Sequence, residues 1–176
     1  TAIMMAVLSG LFLVLLGETV SKPMLTFMGT PDDVLDQAAL YLRIYFFGMP
    51  VLMIYNFGAA LLRAIGDTRR PLYFLFAAGA VNVVLNLFFV IKMGMGVDGV
   101  GWATVISECV SAGLVIRSLI KETGSMKLHL TKLRIVPGKL TQIVRVGLPA
   151  GMQGAIFSIS NVLIQSSVNS FGSITM

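Results

Sequence analysis

The sequence predicts an all-α membrane protein that crosses the bilayer about five times. Of its 176 residues, 56% are hydrophobic and 12% are charged, whereas soluble domains carry roughly 25% charged residues. Five stretches approach the length of about 20 apolar residues that a helix needs to span a membrane. The basic residues lie mainly in alternate connections between those stretches. This pattern excludes a soluble enzyme, a disordered tail and a nucleic-acid-binding module.

The five apolar stretches define the predicted helices. They cover residues 1–17, 39–62, 72–91, 99–120 and 146–170. The first continues weakly toward residue 28, and the fifth is the most polar.

Turn residues fit these boundaries. Pro31-Asp32-Asp33 predicts the start of the second helix, because carboxylates favour the positive end of a helix. Gly66 can end that helix. Asp67 or Thr68 can cap the third, with Pro71 in its first turn.

The charge distribution predicts an orientation. Connections 63–71 and 117–145 hold ten of the 13 basic residues, whereas connections 18–37 and 92–98 hold one each. The positive-inside rule places the first pair of connections in the cytoplasm. Because the sides alternate, every stretch has to cross the membrane. The polar stretch 122–142, which contains Pro137-Gly138, reads as a linker between two bundles. Since the chain begins inside an apolar run without an initiator Met, we expect an internal segment of a longer protein.

Constellations for catalysis are missing from the sequence. It has no Walker A motif, no H-E-x-x-H motif and no Ser/His/Asp set, and it contains one cysteine, Cys109, and one histidine, His129. We therefore expect no catalytic residue, no cofactor and no His- or Cys-based metal centre. Function has to lie in polar groups placed inside the membrane.

Three asparagines are the first candidates. Asn82 and Asn86 lie four residues apart and so share a helix face, and Asn56 lies near the middle of the second stretch. Amide oxygens are hard ligands suited to Na⁺. Two explanations stay open: the amides bridge helices by hydrogen bonds, or they bind a cation or substrate.

Two further candidates are Glu108 and Gln153. Glu108 is the only carboxylate well inside a stretch, and an intramembrane acid suggests a functional site. It could take part in proton-coupled transport, face an aqueous cavity or pair with a base elsewhere. Gln153 belongs to a set of polar residues in the fifth stretch, which suggests one wall of a wet cavity. The aromatic residues Phe46, Phe47, Tyr55 and Phe57 could bind organic cations or serve lipid-facing packing.

Residues 61–113 resemble the multidrug and toxic compound extrusion (MATE) family. The resemblance lies in Gly66-Asp67-Thr68, the two asparagines Asn82 and Asn86, the Gly94-x-Gly96-Val97-x-Gly99 turn and Ala103-Thr104. Flanking pieces, Gly48-x-Pro50 and Gly147-Leu148-Pro149-Ala150, extend it over essentially the whole chain.

The resemblance implies a MATE-type bundle of twelve helices in two lobes. Residues 1–121 would form helices three to six of the first lobe, residues 122–145 the cytoplasmic linker and residues 146–176 the first helix of the second lobe. In one branch of the family, polar residues of helices four and five help to bind a cation, and Asn56, Asn82 and Asn86 match them by spacing. That branch has an aspartate at the position of Asn86. Another branch uses a helix-seven glutamate, and the fifth stretch contains no acid.

The resemblance implies a multi-pass antiporter of the plasma (bacterial inner) membrane. It would export small organic cations in exchange for Na⁺ or H⁺, and it would need the remainder of the polypeptide for transport. The alternative is a lipid-linked precursor flippase of the same wider superfamily. That alternative predicts a cavity rich in Arg or Lys, and the first, third and fifth stretches hold no basic residue.

Overall fold

The computed structural model describes residues 1–27, 32–123, 127–129 and 133–170. These residues form five long helices, each long and apolar enough to cross a membrane. The prediction of an all-α membrane protein with five such helices is confirmed. A π-helical turn, Phe88–Lys92, extends the third. The helices are α1 (Ala2–Phe27), α2 (Asp32–Ala64), α3 (Arg69–Leu87), α4 (Val97–Lys121) and α5 (Pro137–Ser170).

The helices extend past the predicted apolar stretches. α1 reaches Phe27 along its weakly apolar end, and α2 begins at Asp32 within the predicted start signal. α5 begins at Pro137, so residues 137–145, which we assigned to the polar connection, are helical. The reason is that proline suits the first position of a helix, where its missing N–H is not needed.

The described chain divides into two compact units, Thr1–Arg134 and Ile135–Met176. The first unit contains α1 to α4, and the second contains α5. In the first unit α2 packs between α1 and α4, while α4 also packs against α3. Although α2 and α3 are consecutive, they make few contacts with each other. α2 and α3 are therefore linked mainly through α4, which packs against both of them.

A tight turn sets the angle between α2 and α3. Gly66 adopts a positive φ of 86°, which glycine tolerates without steric strain. The N–H of Gly66 donates to Arg63 O at 3.0 Å and the N–H of Asp67 donates to Leu62 O at 3.1 Å, the two bonds of a Schellman motif. The carboxylate of Asp67 then accepts from the N–H of Arg70 at 3.1 Å and caps α3. Both predicted turn signals therefore act as expected.

A close approach joins α1 to α2. A Cβ added at Gly10 would collide with the backbone of Pro50, and one at Gly17 would collide with the ring of Phe46. Small residues let membrane helices approach each other closely. Beyond this contact Lys22 pairs with Asp36 at 2.9 Å.

The core of the first unit lies where α2 meets α4. Its largest fully buried apolar side chains are Leu62, Val115 and Leu119. Leu128, which follows α4, donates its N–H to Leu119 O at 2.9 Å. Its side chain and that of Leu133 pack against the core. Leu128 and Leu133 therefore belong to the first unit.

The substitution Gly10→Ala should separate α1 from α2. We expect a loss of about 1–3 kcal/mol, because the added methyl group meets backbone that cannot rotate away. The measurement is the thermal unfolding of the full-length protein in detergent. Gly113→Ala is the matched control, since a Cβ there meets nothing within 4 Å and alanine favours the helix. Equal melting temperatures for the two variants would contradict the close approach.

Candidate functional site

A cavity of about 590 Å³ lies between α2, α3 and α4 of the first unit. It occupies the space that the separation of α2 from α3 leaves. Its lining is apolar on the α3 side near Leu75, Ala78 and Gly79, whereas polar groups converge from all three helices. The polar lining residues are Tyr55, Asn56, Arg63, Asn82, Thr104, Ser107, Glu108 and Ser111.

Three hydroxyl groups on α4 bond to their own helix. Thr104 donates to Val100 O at 3.0 Å, Ser107 to Thr104 O at 2.7 Å and Ser111 to Glu108 O at 2.9 Å. A carbonyl oxygen only accepts hydrogen bonds, so each hydroxyl donates its single proton to the backbone. Toward the cavity these oxygens can therefore only accept hydrogen bonds.

Because these oxygens can only accept, they determine how the amide groups of Asn82 and Asn86 on α3 are oriented. We call this hydrogen-bonded pair of amides the ladder. Asn82 Nδ2 donates to Thr104 Oγ1 at 3.4 Å and to Ser107 Oγ at 3.3 Å, because the hydroxyls have no proton to offer. Asn82 Oδ1 accepts from Asn86 Nδ2 at 3.0 Å. The ladder ends at Asn86 Oδ1, a buried oxygen with no partner among the described residues. Such an unsatisfied group costs about 1–3 kcal/mol.

Glu108, on α4, lines the same cavity as Asn82. Its Oε2 atom lies 3.0 Å from the position that a Cβ on Gly48 would take, so the carboxylate reaches the backbone of α2. Within the described ranges, no basic side chain or hydrogen-bond donor contacts this carboxylate. The absence of a side chain at Gly48 leaves the space that the carboxylate fills.

The other predicted residues are placed as follows. Asn56 lies on the α2 wall of the cavity with an exposed side chain. Gln153 lies on α5 in the second unit, where its side chain is exposed. The aromatic cluster divides: Phe46 packs on Gly17, Phe47 stands edge-on to Trp102 at 6.0 Å, and Tyr55 lines the cavity while its hydroxyl donates to Pro71 O at 3.0 Å.

Ser107 and Ser111 are the residues that the sequence reasoning missed. The spacing of Thr104, Ser107, Glu108 and Ser111 puts them on one helix face, and this signal was present in the sequence. In the described part of the chain, His, Cys, Asp and Glu form no group of three that could hold a metal ion. A cation in this cavity would therefore depend on amide, hydroxyl and single carboxylate oxygens.

The ladder predicts a non-additive mutant pair. Asn82→Leu removes the acceptor of Asn86, so Asn86 is left with both amide ends unsatisfied, and we expect a loss of about 1–3 kcal/mol. Adding Asn86→Leu should recover part of that loss, because no amide is then left in the site. The measurement is thermal unfolding of the full-length protein, with Asn56→Leu as the control. A double variant destabilised by the sum of the two single changes would contradict the ladder.

Comparisons with known proteins identify the family. The family model described as MatE matches residues 1–113. The probable multidrug resistance proteins YoeA and YpnP of Bacillus subtilis are 29% and 31% identical to this chain, over 98% and 89% of its length. A crystal structure of MATE in the bent conformation superimposes on this chain with a TM-score of 0.86 at 23% sequence identity. The match covers 97% of this chain and 38% of the crystallised chain, and it supports the fold. The chain spans 39% and 35% of the two relatives' own lengths. It belongs to the multidrug and toxic compound extrusion (MATE) family of membrane transporters.

Proposed function

We propose that the complete transporter exports small organic cations in exchange for Na⁺ or H⁺ by alternating access. One observation carries the proposal: an unpartnered amide oxygen, Asn86 Oδ1, ends a hydrogen-bonded ladder whose next member, Asn82, lines a cavity with Asn56 and Glu108. The names of the two B. subtilis relatives, which refer to multidrug resistance, support a drug-like substrate.

The chemistry of the cavity suits a cation. Amide and hydroxyl oxygens are hard ligands of the kind that Na⁺ prefers, and a carboxylate can hold either a metal cation or a proton. Asn56, Asn82 and Asn86 would offer their oxygens to Na⁺, and Glu108 would exchange H⁺. A bound ion drives transport only if it binds the outward-open and inward-open states differently. Because the cavity is shared by three helices, a movement of α2 relative to α4 would change the distances between these oxygens.

The test measures coupled efflux by the parent transporter. Cells that lack their main efflux pumps would accumulate a fluorescent organic cation, and a Na⁺ or H⁺ gradient would be imposed across the membrane. We expect gradient-dependent exclusion of the dye by the wild-type protein. The double variant Asn82→Leu/Asn86→Leu should lose most of that coupling, because it removes both amide oxygens. Leu16→Ala/Leu40→Ala, two exposed apolar positions outside the cavity, is the control. Unchanged coupling in the asparagine variant would exclude the ion site.

The proposed setting is the plasma membrane, with connections 63–71 and 117–145 in the cytoplasm. Ten of the 13 basic residues support this orientation by their position.

Thiol labelling tests the orientation. In a cysteine-free background of the parent transporter, which includes Cys109→Ser, Lys127→Cys and Gln37→Cys each introduce one thiol at an exposed position. A membrane-impermeant maleimide added to intact cells should label the cysteine at position 37 and spare that at position 127, since the reagent cannot cross the bilayer. Permeabilised cells, in which both should react, provide the control. The reverse pattern would invert the proposed topology.

Arg63 favours a second candidate, a flippase for lipid-linked precursors. Its side chain lines the same cavity, and a guanidinium group holds phosphate oxygens well. Glu108 opposes this candidate, because a carboxylate repels a pyrophosphate. The efflux assay separates the two: a flippase would exclude no dye under either gradient while the protein is present in the membrane.

A further inference from the structure

Glu108 and Ser111 on α4 line the cavity with hydrogen-bond acceptors, which affect the kind of organic cation that can bind there. The Glu108 carboxylate reaches α2 at Gly48 and meets no donor in the described ranges. One turn away, Ser111 is 3% exposed and donates its proton to Glu108 O, so its oxygen is left as an acceptor. These two groups line the same cavity. They present oxygen lone pairs, and negative charge when the acid is ionised.

The described lining of the cavity does not form the aromatic cage that usually binds a cation that has no N–H group. Quaternary ammonium ligands are recognised by cages of several aromatic rings. Among the described residues that line this cavity, Tyr55 is the only aromatic one, and its hydroxyl is already bonded to Pro71 O. Phe46 and Phe47, which lie more than two turns before Tyr55 on α2, pack on Gly17 and Trp102 instead.

We propose that Glu108 and Ser111 form an anchor for the N–H group of a protonated amine, and that the cavity therefore prefers such cations to quaternary ammonium ions. The inference rests on the proposed export of organic cations and names the substrate class of that site. An N–H donor forms a charge-assisted hydrogen bond with the carboxylate, which is about twice as strong as a neutral one. A quaternary ion of equal charge has no proton to donate, so it gains only the Coulomb attraction.

A matched pair of probes tests the preference. Both are the same fluorescent dye on a short tether; one ends in a protonated dimethylamino group and the other in a trimethylammonium group, so both carry one positive charge at neutral pH. Transport of each probe is measured with the full-length parent transporter in proteoliposomes under an imposed Na⁺ or H⁺ gradient. For the wild-type protein we expect a KM about tenfold lower for the dimethylamino probe.

Two variants assign the preference to the anchor. Glu108→Gln keeps the size of the side chain but removes its charge, and it should raise the KM of the dimethylamino probe about tenfold and that of the trimethylammonium probe clearly less. Ser111→Ala leaves every charge in place and should raise only the KM of the dimethylamino probe, by about threefold. The matched controls are Ser9→Ala, whose hydroxyl donates to Ala6 O on α1 in the same way, and Glu18→Gln, an acid paired with Arg43.

The outcomes are distinguishable. The melting temperature of each variant in detergent reports whether it is folded. The ratio of the two KM values within one protein reports the anchor, because a loss of H⁺ exchange on Glu108→Gln would affect the transport of both probes alike. Equal KM values for the two probes in the wild-type protein, or equal changes in both probes on Glu108→Gln and Ser111→Ala, would overturn the anchor while efflux itself stands. Transport of neither probe under either gradient would overturn the proposed function, and the anchor with it.

Discussion

The direction of hydrogen bonding on α4 is the constraint on which the rest of the site depends. Inside a membrane the backbone is the nearest acceptor for a hydroxyl proton, and Thr104, Ser107 and Ser111 all use it. Once those protons are committed, Asn82 has to present its NH₂ group to α4 and its oxygen to Asn86. The unsatisfied oxygen of Asn86 is the consequence. Asn82 thus bridges two helices, whereas Asn86 keeps an oxygen that has no partner among the described residues.

Packing elsewhere in the unit makes room for this arrangement. The Schellman turn at Gly66 reverses the chain while keeping α2 and α3 apart, so that α4 forms the back of the space between them. Gly48 removes the side chain that would otherwise occupy the position of the Glu108 carboxylate. On the opposite face of α2, Gly10 allows α1 to approach Pro50 closely. Glycines in three helices or turns therefore determine where the cavity lies and which acid reaches it.

Much of the fold could be predicted from the sequence, because long apolar stretches and turn chemistry are local signals. Gly66 and Asp67 act as their residue types suggest, whereas the start of α5 at Pro137 was not predicted, since proline occurs both in connections and at the first position of a helix. The pairing of Asn82 with Asn86 follows from their spacing of four. The roles of Ser107 and Ser111 depend on which face of α4 meets α3, and that face is a tertiary property. Gly48 gave no signal of its link to Glu108, 60 positions away in the sequence.

The walls of the cavity are joined to one another by bonds of different kinds. The amide ladder joins α3 to α4. By contrast, α2 meets α4 through apolar packing around Val115 and Leu119. It meets α3 through the single described hydrogen bond from Tyr55 to Pro71. Apolar contacts have no directional requirement, so they tolerate a small shift of α2 better than the ladder tolerates a shift of α3. A ligand that bonds to Asn56 on α2 and to Glu108 on α4 would add the missing directional link. Its binding energy would then favour the arrangement in which the three helices converge, and that difference between states is what an alternating-access mechanism requires.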